Sequence, residues 1–132
     1  MTQRTRTATA SAVATALLLG TAGAAAADPV EGTWRTETGE TGGYLHVRIV
    51  ECDSGICGVI TEVVNNENDS IVGRTIISGM EVQGGGAYRG GRIWAPDQDK
   101  TYTSKMTLQG NALKVEGCVA VFCRSQTWTR LN

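Results

Sequence analysis

From Tyr44 to Val50 apolar and polar side chains take turns, with Leu45, Val47 and Ile49 on one side and His46 and Arg48 on the other. A two-residue period is that of a half-buried antiparallel strand. Gly58–Val64, a β-branched run around Ile60, reads as its partner strand; Ala87–Trp94 and Thr101–Gln109 are two further strand-like runs, and Leu113, Val115 and Gly117 line one face of the next. Alternation is clear again from Arg124 to Leu131, where Gln126, Trp128 and Arg130 alternate with Ser125, Thr127 and Thr129. Gly32–Thr36 reads as a short first strand, and a further strand starts near Thr75 and runs to Gln83. Between these runs lie turn formers: Thr38–Gly43, Asp53-Ser54-Gly55, Asn65–Ser70, Gly84-Gly85-Gly86, Pro96–Asp99 and Gly110-Asn111. Eight strands joined by hairpins, without a long crossover, predict an all-β fold: a small, eight-stranded, antiparallel up-and-down barrel.

The hairpin Ala87–Gln109 sets the faces. If Ala95 pairs with Lys100, Ile93 lies opposite Tyr102, Gly91 opposite Ser104 and Arg89 opposite Met106 on one face. Tyr88, Arg92 and Trp94 then share the other face with Thr107, Thr103 and Thr101. A slip of one residue would invert that assignment.

The first 27 residues follow a different logic. Arg4 and Arg6 precede an apolar stretch, Ala8–Gly20, centred on three leucines, and Ala25-Ala26-Ala27 offers a small-residue cleavage site before Asp28. This is the layout of a cleavable signal peptide, residues 1–27, with cleavage between Ala27 and Asp28. A retained membrane anchor is the rival reading, but most of the stretch is Ala and Thr, so the mature chain is expected not to span a membrane. The two arginines are not adjacent, which argues against a twin-arginine signal. No cysteine precedes Cys52, so there is no site for an N-terminal lipid.

Residues 28–132 are one domain by length. They carry ten basic and thirteen acidic residues, a net charge of −3, and no basic stripe, so nucleic acid is not an expected partner. Fifteen of the 17 glycines fall here, which suits many turns between short strands.

Four cysteines form two pairs of equal spacing, Cys52-x4-Cys57 and Cys118-x4-Cys123. Behind a signal peptide the compartment is oxidising, periplasmic or secreted, so disulfides are expected. Asp53-Ser54-Gly55 would bring Cys52 opposite Cys57, which favours two local bridges over links between the pairs. A four-cysteine zinc site is permitted by spacing and disfavoured by the compartment.

The order Gly32-Thr33-Trp34, Cys52-x4-Cys57-Gly58, Gly90-Gly91-Arg92-Ile93-Trp94-Ala95-Pro96-Asp97, Lys100-Thr101-Tyr102 and Ser125–Arg130 resembles the bacterial exported domain-of-unknown-function family DUF2147 across the whole mature chain. The resemblance implies a lipocalin-like (calycin) barrel in the cell envelope with no established activity. It also implies a Gly-x-Trp tryptophan covered by a basic residue near the end of the barrel, roles that Trp34 and Arg130 fit. Trp94-Ala95 and Gln98-Asp99 depart from the Tyr-Asp and Asp-Gly more usual there.

Candidate chemistry is sparse. His46 is the single histidine and stands on an outward-facing position without a nucleophile signature around it. Asp97 with Asp99, and Glu67 with Asp69, do not fit a calcium loop and read as turn and solvated residues. No cofactor or metal is expected. The face holding Arg89, Ile93, Tyr102 and Met106 is the candidate ligand site: were it to line the interior, Arg89 would need a partner such as an anionic head group. The sequence thus leads to a non-enzymatic binder of a small, largely apolar molecule in the barrel mouth. The alternative is an envelope protein-interaction module with a filled interior, docking through Trp94, Tyr88 or the apolar Val119–Phe122 tip.

Overall fold

The computed structural model describes residues 3, 12 and 26–132; the signal-peptide reading falls almost entirely outside them. Eight strands follow one another: β1 (Gly32–Arg35), β2 (Tyr44–Cys52), β3 (Gly55–Val64), β4 (Thr75–Gly84), β5 (Ala87–Ala95), β6 (Lys100–Gln109), β7 (Ala112–Val119) and β8 (Phe122–Arg130). Each pairs antiparallel with its neighbours in sequence, and β1 with β8 closes the barrel. The closing pairs are Trp34 with Arg130 and Arg35 with Thr129. Among the described residues no helix is long and apolar enough to cross a membrane.

An up-and-down order puts the β2–β3, β4–β5 and β6–β7 turns at one end with residues 28–31 and the C-terminus. We call this the closed end. The loops after β1, β3, β5 and β7 stand at the other, open end. The longest of these, between β3 and β4, contains a single 3-10 turn, Asp69–Ile71, and Ile71 leans on the core.

Alternation sends one side chain in two inward, and the interior is filled with them. Trp34 and Trp128 are fully buried, as are Met80, Ile49, Ile60 and Ile77. Eight strands enclose a space just wide enough for side chains or one small ligand; here side chains occupy it.

The β5–β6 register holds as read near the turn, from Ala95–Lys100 through Gly91–Ser104. It then slips: Met106 pairs with Tyr88, not with Arg89. The cause is a β-bulge. Between Gly91 and Tyr88, β5 advances three residues while β6 advances two. Gly90 takes φ +74°, a left-handed conformation that glycine adopts without steric cost. Tyr88 therefore turns inward and is buried, and Arg89 is exposed, which corrects the sequence assignment of both.

Candidate functional site

At the closed end the chain ahead of β1 folds under the barrel as a plug. The Trp34 indole N–H donates to the carbonyl of buried Val30 at 2.9 Å. The Arg130 guanidinium lies over the Trp34 ring, 4.4 Å from its centre, a contact that contributes roughly 0.5–2 kcal/mol. Its two terminal nitrogens donate to the carbonyls of Glu31 (3.0 Å) and Pro29. The Asp28 carboxylate accepts from the Val30 N–H at 3.0 Å and from the Tyr88 hydroxyl. Burial, and then the Asp28 carboxylate, push the Tyr88 phenol well above its ordinary pKa. An open cleft of about 430 Å3 lies alongside, between Asp28, Tyr88, Leu108 and the Gly84–Gly86 turn.

Three of the four residues of the candidate ligand face do share a surface. Ile93 and Met106 are buried in the core, and Tyr102 leans on it nearer the open end, its hydroxyl donating to the Gln98 carboxamide. The space over Gly117 is taken by Ile93 and Tyr102: a Cβ there would stand 3.3 Å from Ile93 Cγ2 and 3.6 Å from Tyr102 Cβ. Arg89 is not with them. It sits outside, opposite Glu81 of β4, on a cleft of about 300 Å3 over the bulge. Arg92 and Lys105 also border that cleft, and among the described residues none of the three cations makes an ion pair.

His46 pairs across the sheet with Glu62, Nδ1 to carboxylate 2.9 Å, on the outer surface. Asp99 is committed too: its carboxylate accepts the Trp94 indole N–H at 2.9 Å, while the Arg74 guanidinium stacks 3.6 Å from that ring. The four cysteines form two disulfides, Cys52–Cys57 at the closed end and Cys118–Cys123 at the open end. The bridges are the local ones expected, but Cys52 stands opposite Gly55 and Cys57 opposite Val50, because the turn is the two residues Asp53-Ser54 and not Asp53-Ser54-Gly55.

The open end carries the least satisfied part of the molecule. Strand β8 has nine residues and β1 four, so β1 leaves the sheet after Arg35 while β8 continues to Phe122. The N–H groups of even-numbered residues in β8 point to β7, as that of Arg130 does toward Asn111. Those of odd-numbered residues point the other way: Leu131 finds the Thr33 carbonyl, and Thr127 the Glu37 carboxylate at 2.9 Å. Beyond them the N–H groups of Ser125 and Cys123 face the same side, both residues are exposed, and no described residue accepts from either. This half-strand ends in a hairpin tip that is apolar and exposed: Val119 at 60 %, Val121 at 86 % and Phe122 at 80 %. Ala120 in the turn has φ +52°, an unfavourable angle for a residue with a side chain, and the Cys118–Cys123 bridge ties the two arms at its base.

A profile of the family described as "Uncharacterized protein conserved in bacteria (DUF2147)" matches residues 32–130. The chain belongs to the DUF2147 family. Among curated proteins none matches it. Among solved structures, protein HP1028 from the human pathogen Helicobacter pylori, described as belonging to the lipocalin family, superposes with a TM-score of 0.65 and 18 % identity. The superposition covers 77 % of this chain and 82 % of that one. Such a likeness shows the fold, a lipocalin-like closed barrel.

Two disulfides in a bacterial DUF2147 barrel fit an extracellular or periplasmic protein. Sequence periodicity found the tip of this barrel but not its free strand edge. The signal was the difference in length between the first and last strands, which leaves part of β8 without a partner wherever the barrel closes. The Trp94–Asp99 pair was missed as well.

Proposed function

We propose that this DUF2147 protein is a non-enzymatic interaction module of the cell envelope that receives an extended polypeptide segment along the free half of β8. The observation that supports this most is the unpaired edge from Phe122 to Ser125, presented beside an exposed apolar tip and above a filled interior. An exposed strand edge is a template for another chain, and its N–H and C=O groups supply affinity independent of sequence. Side chains then select. Phe122 and Arg124 project on one face of the edge, so the segment recognised carries an apolar residue opposite Phe122 and an acidic one opposite Arg124. The strained turn and the disulfide hold the tip in place before the partner arrives, which lowers the ordering cost of binding.

The test uses Ser125→Pro, which deletes a donor that faces away from β7 and leaves the β7–β8 ladder intact; proline is tolerated on such an edge. A photo-crosslinking residue is placed at position 122 in the producing bacterium, and the adduct is mapped by mass spectrometry. The expected result is an adduct within an extended, acid-bearing segment of another envelope protein, lost on Ser125→Pro while the melting temperature stays within a few degrees. An adduct unaffected by the proline, or one formed with a second copy of this chain, overturns the proposal.

A second reading, one small apolar ligand near the mouth against Ile93, Tyr102 and Met106, draws support from the likeness to a lipocalin-family protein, because barrels of this size can hold one. It requires Tyr102 to swing out. Native mass spectrometry of exported protein separates the two: a co-purified small molecule supports the ligand, and its absence leaves the strand edge.

A further inference from the structure

We propose that the fold contains a built receptor for the ammonium group that the expected cleavage between Ala27 and Asp28 creates. The inference rests on the closed end and is independent of the β8 edge. Water adds across the bond: the Ala27 carbonyl carbon takes the oxygen and leaves as a carboxylate, and the Asp28 nitrogen takes the protons and becomes an ammonium.

The residues on the two sides of this bond differ sharply. Ala26 and Ala27 are exposed and outside any regular element. The next four residues are held at nearly every polar group. The Asp28 nitrogen donates to Glu31 Oε2 at 2.9 Å, and the Glu31 N–H returns to the Asp28 carbonyl at 2.9 Å. The second Glu31 oxygen accepts from the Glu51 N–H of β2 at 3.2 Å, so the carboxylate is fixed from the side opposite its partner. The Asp28 side chain is tied to the Val30 N–H and the Tyr88 hydroxyl, Val30 is fully buried, and Arg130 clamps the Pro29 and Glu31 carbonyls. A segment gripped this tightly from its first atom behaves as the start of the folded chain.

Electrostatics point the same way. Asp28 and Glu31 place two carboxylates in one turn, and Arg130 is the cation beside them. In the uncut chain the Asp28 nitrogen is a neutral amide whose hydrogen bond to Glu31 carries charge on the acceptor alone. After hydrolysis it is an ammonium at neutral pH, so donor and acceptor are both charged and the bond gains the attraction of an ion pair. Processing therefore strengthens the plug that covers Trp34, and the mature protein gains stability that its precursor lacks.

The experiment compares two lengths of the protein, one beginning at Asp28 and one at Ala26, each with and without Glu31→Gln. Intact mass of the exported protein comes first, and the expected start is Asp28. Glu31→Gln should lower the melting temperature by several degrees in the Asp28-start protein and by clearly less in the Ala26-start protein, where the ammonium is displaced by two residues. If Glu31→Gln fails to fold, the unsubstituted pair still decides. The α-amine of the Asp28-start protein should react several-fold more slowly with an acetylating reagent than that of the Ala26-start protein. A mature start elsewhere, an equal loss from Glu31→Gln at both lengths, or equal amine reactivity overturns the proposal.

Discussion

At the scale of single residues, the most consequential group is the Tyr88 phenol. It reached the interior only because a bulge turned it there, and burial next to Asp28 keeps it protonated beyond the range of an ordinary tyrosine. The unfolded phenol ionises at about 10. Above that pH the folded state holds a proton that the unfolded state has released, so the stability Tyr88 contributes is complete below about 10 and declines as pH rises. Urea unfolding followed from neutral to strongly alkaline pH should show a steeper fall for the natural protein than for Tyr88→Phe, which has no proton to lose. Equal slopes would remove Tyr88 as the origin. Asp99 belongs to the same scale: as sequence it was one more turn residue, and its task as acceptor for Trp94 is visible only once the turn is folded.

At the scale of elements, the bulge in β5 separates the faces read correctly from those read incorrectly. Alternation named the right inward residues from Ile93 toward the turn and failed beyond Gly91. Nothing local marks the slip, because its reason lies on the next strand. Gly91 faces Met80, and a Cβ there would stand 2.6 Å from the Met80 sulfur and 2.7 Å from the Ser78 carbonyl oxygen. Strand β4 carries its own irregularity between Ile77 and Met80, so both of those residues point inward although three positions apart. The two strands bend together around one thioether. Gly91→Ala should cost about 1–3 kcal/mol, the usual penalty for overfilling a packed core. Denaturant unfolding checks this, and a loss well below that range would mean that Met80 has room to move. The β7–β8 hairpin contrasts with this. Cys118 stands opposite Cys123 there, whereas the equally spaced Cys52 stands opposite Gly55, so the spacing of the thiols does not set the register; the hairpin's apolar tip had no explanation in the sequence, and it remains exposed in the folded protein.

At the scale of the whole molecule, closure is the event on which the core depends. Two ladder pairs join β1 to β8, backbone bonds of Thr33 with Leu131 and Asn132 extend them, and the plug beneath reinforces the seam through Trp34, Val30 and Arg130. Trp34→Ala empties the volume of a fully buried indole and orphans the Val30 carbonyl. A loss of about 3–5 kcal/mol is expected from burial alone. Small domains are stable by about 5–15 kcal/mol, so the variant should be close to unfolding at physiological temperature, which circular dichroism melting would show. Trp94, read from the sequence as a docking residue, is instead buried at 8 % exposure under Arg74 with Asp99 accepting its N–H, so Trp94→Ala should also lower the melting temperature although it lies away from the closing seam.

The amino-acid sequence by itself determined the all-β class, eight strands within a residue or two at most ends, and the local cysteine pairs. Each of these is written in nearest-neighbour chemistry: a two-residue period, a turn former, a short loop between thiols. The tryptophan and arginine that meet where the barrel shuts were implied by the family resemblance, since no local pattern joins residues so far apart in the chain. The tertiary structure alone decided which side of β5 faces inward, that the interior is full, and that half of β8 is left without a partner. Those outcomes depend on what lies across a strand pair or around the closing seam, and such distances are not encoded in any single stretch of the chain.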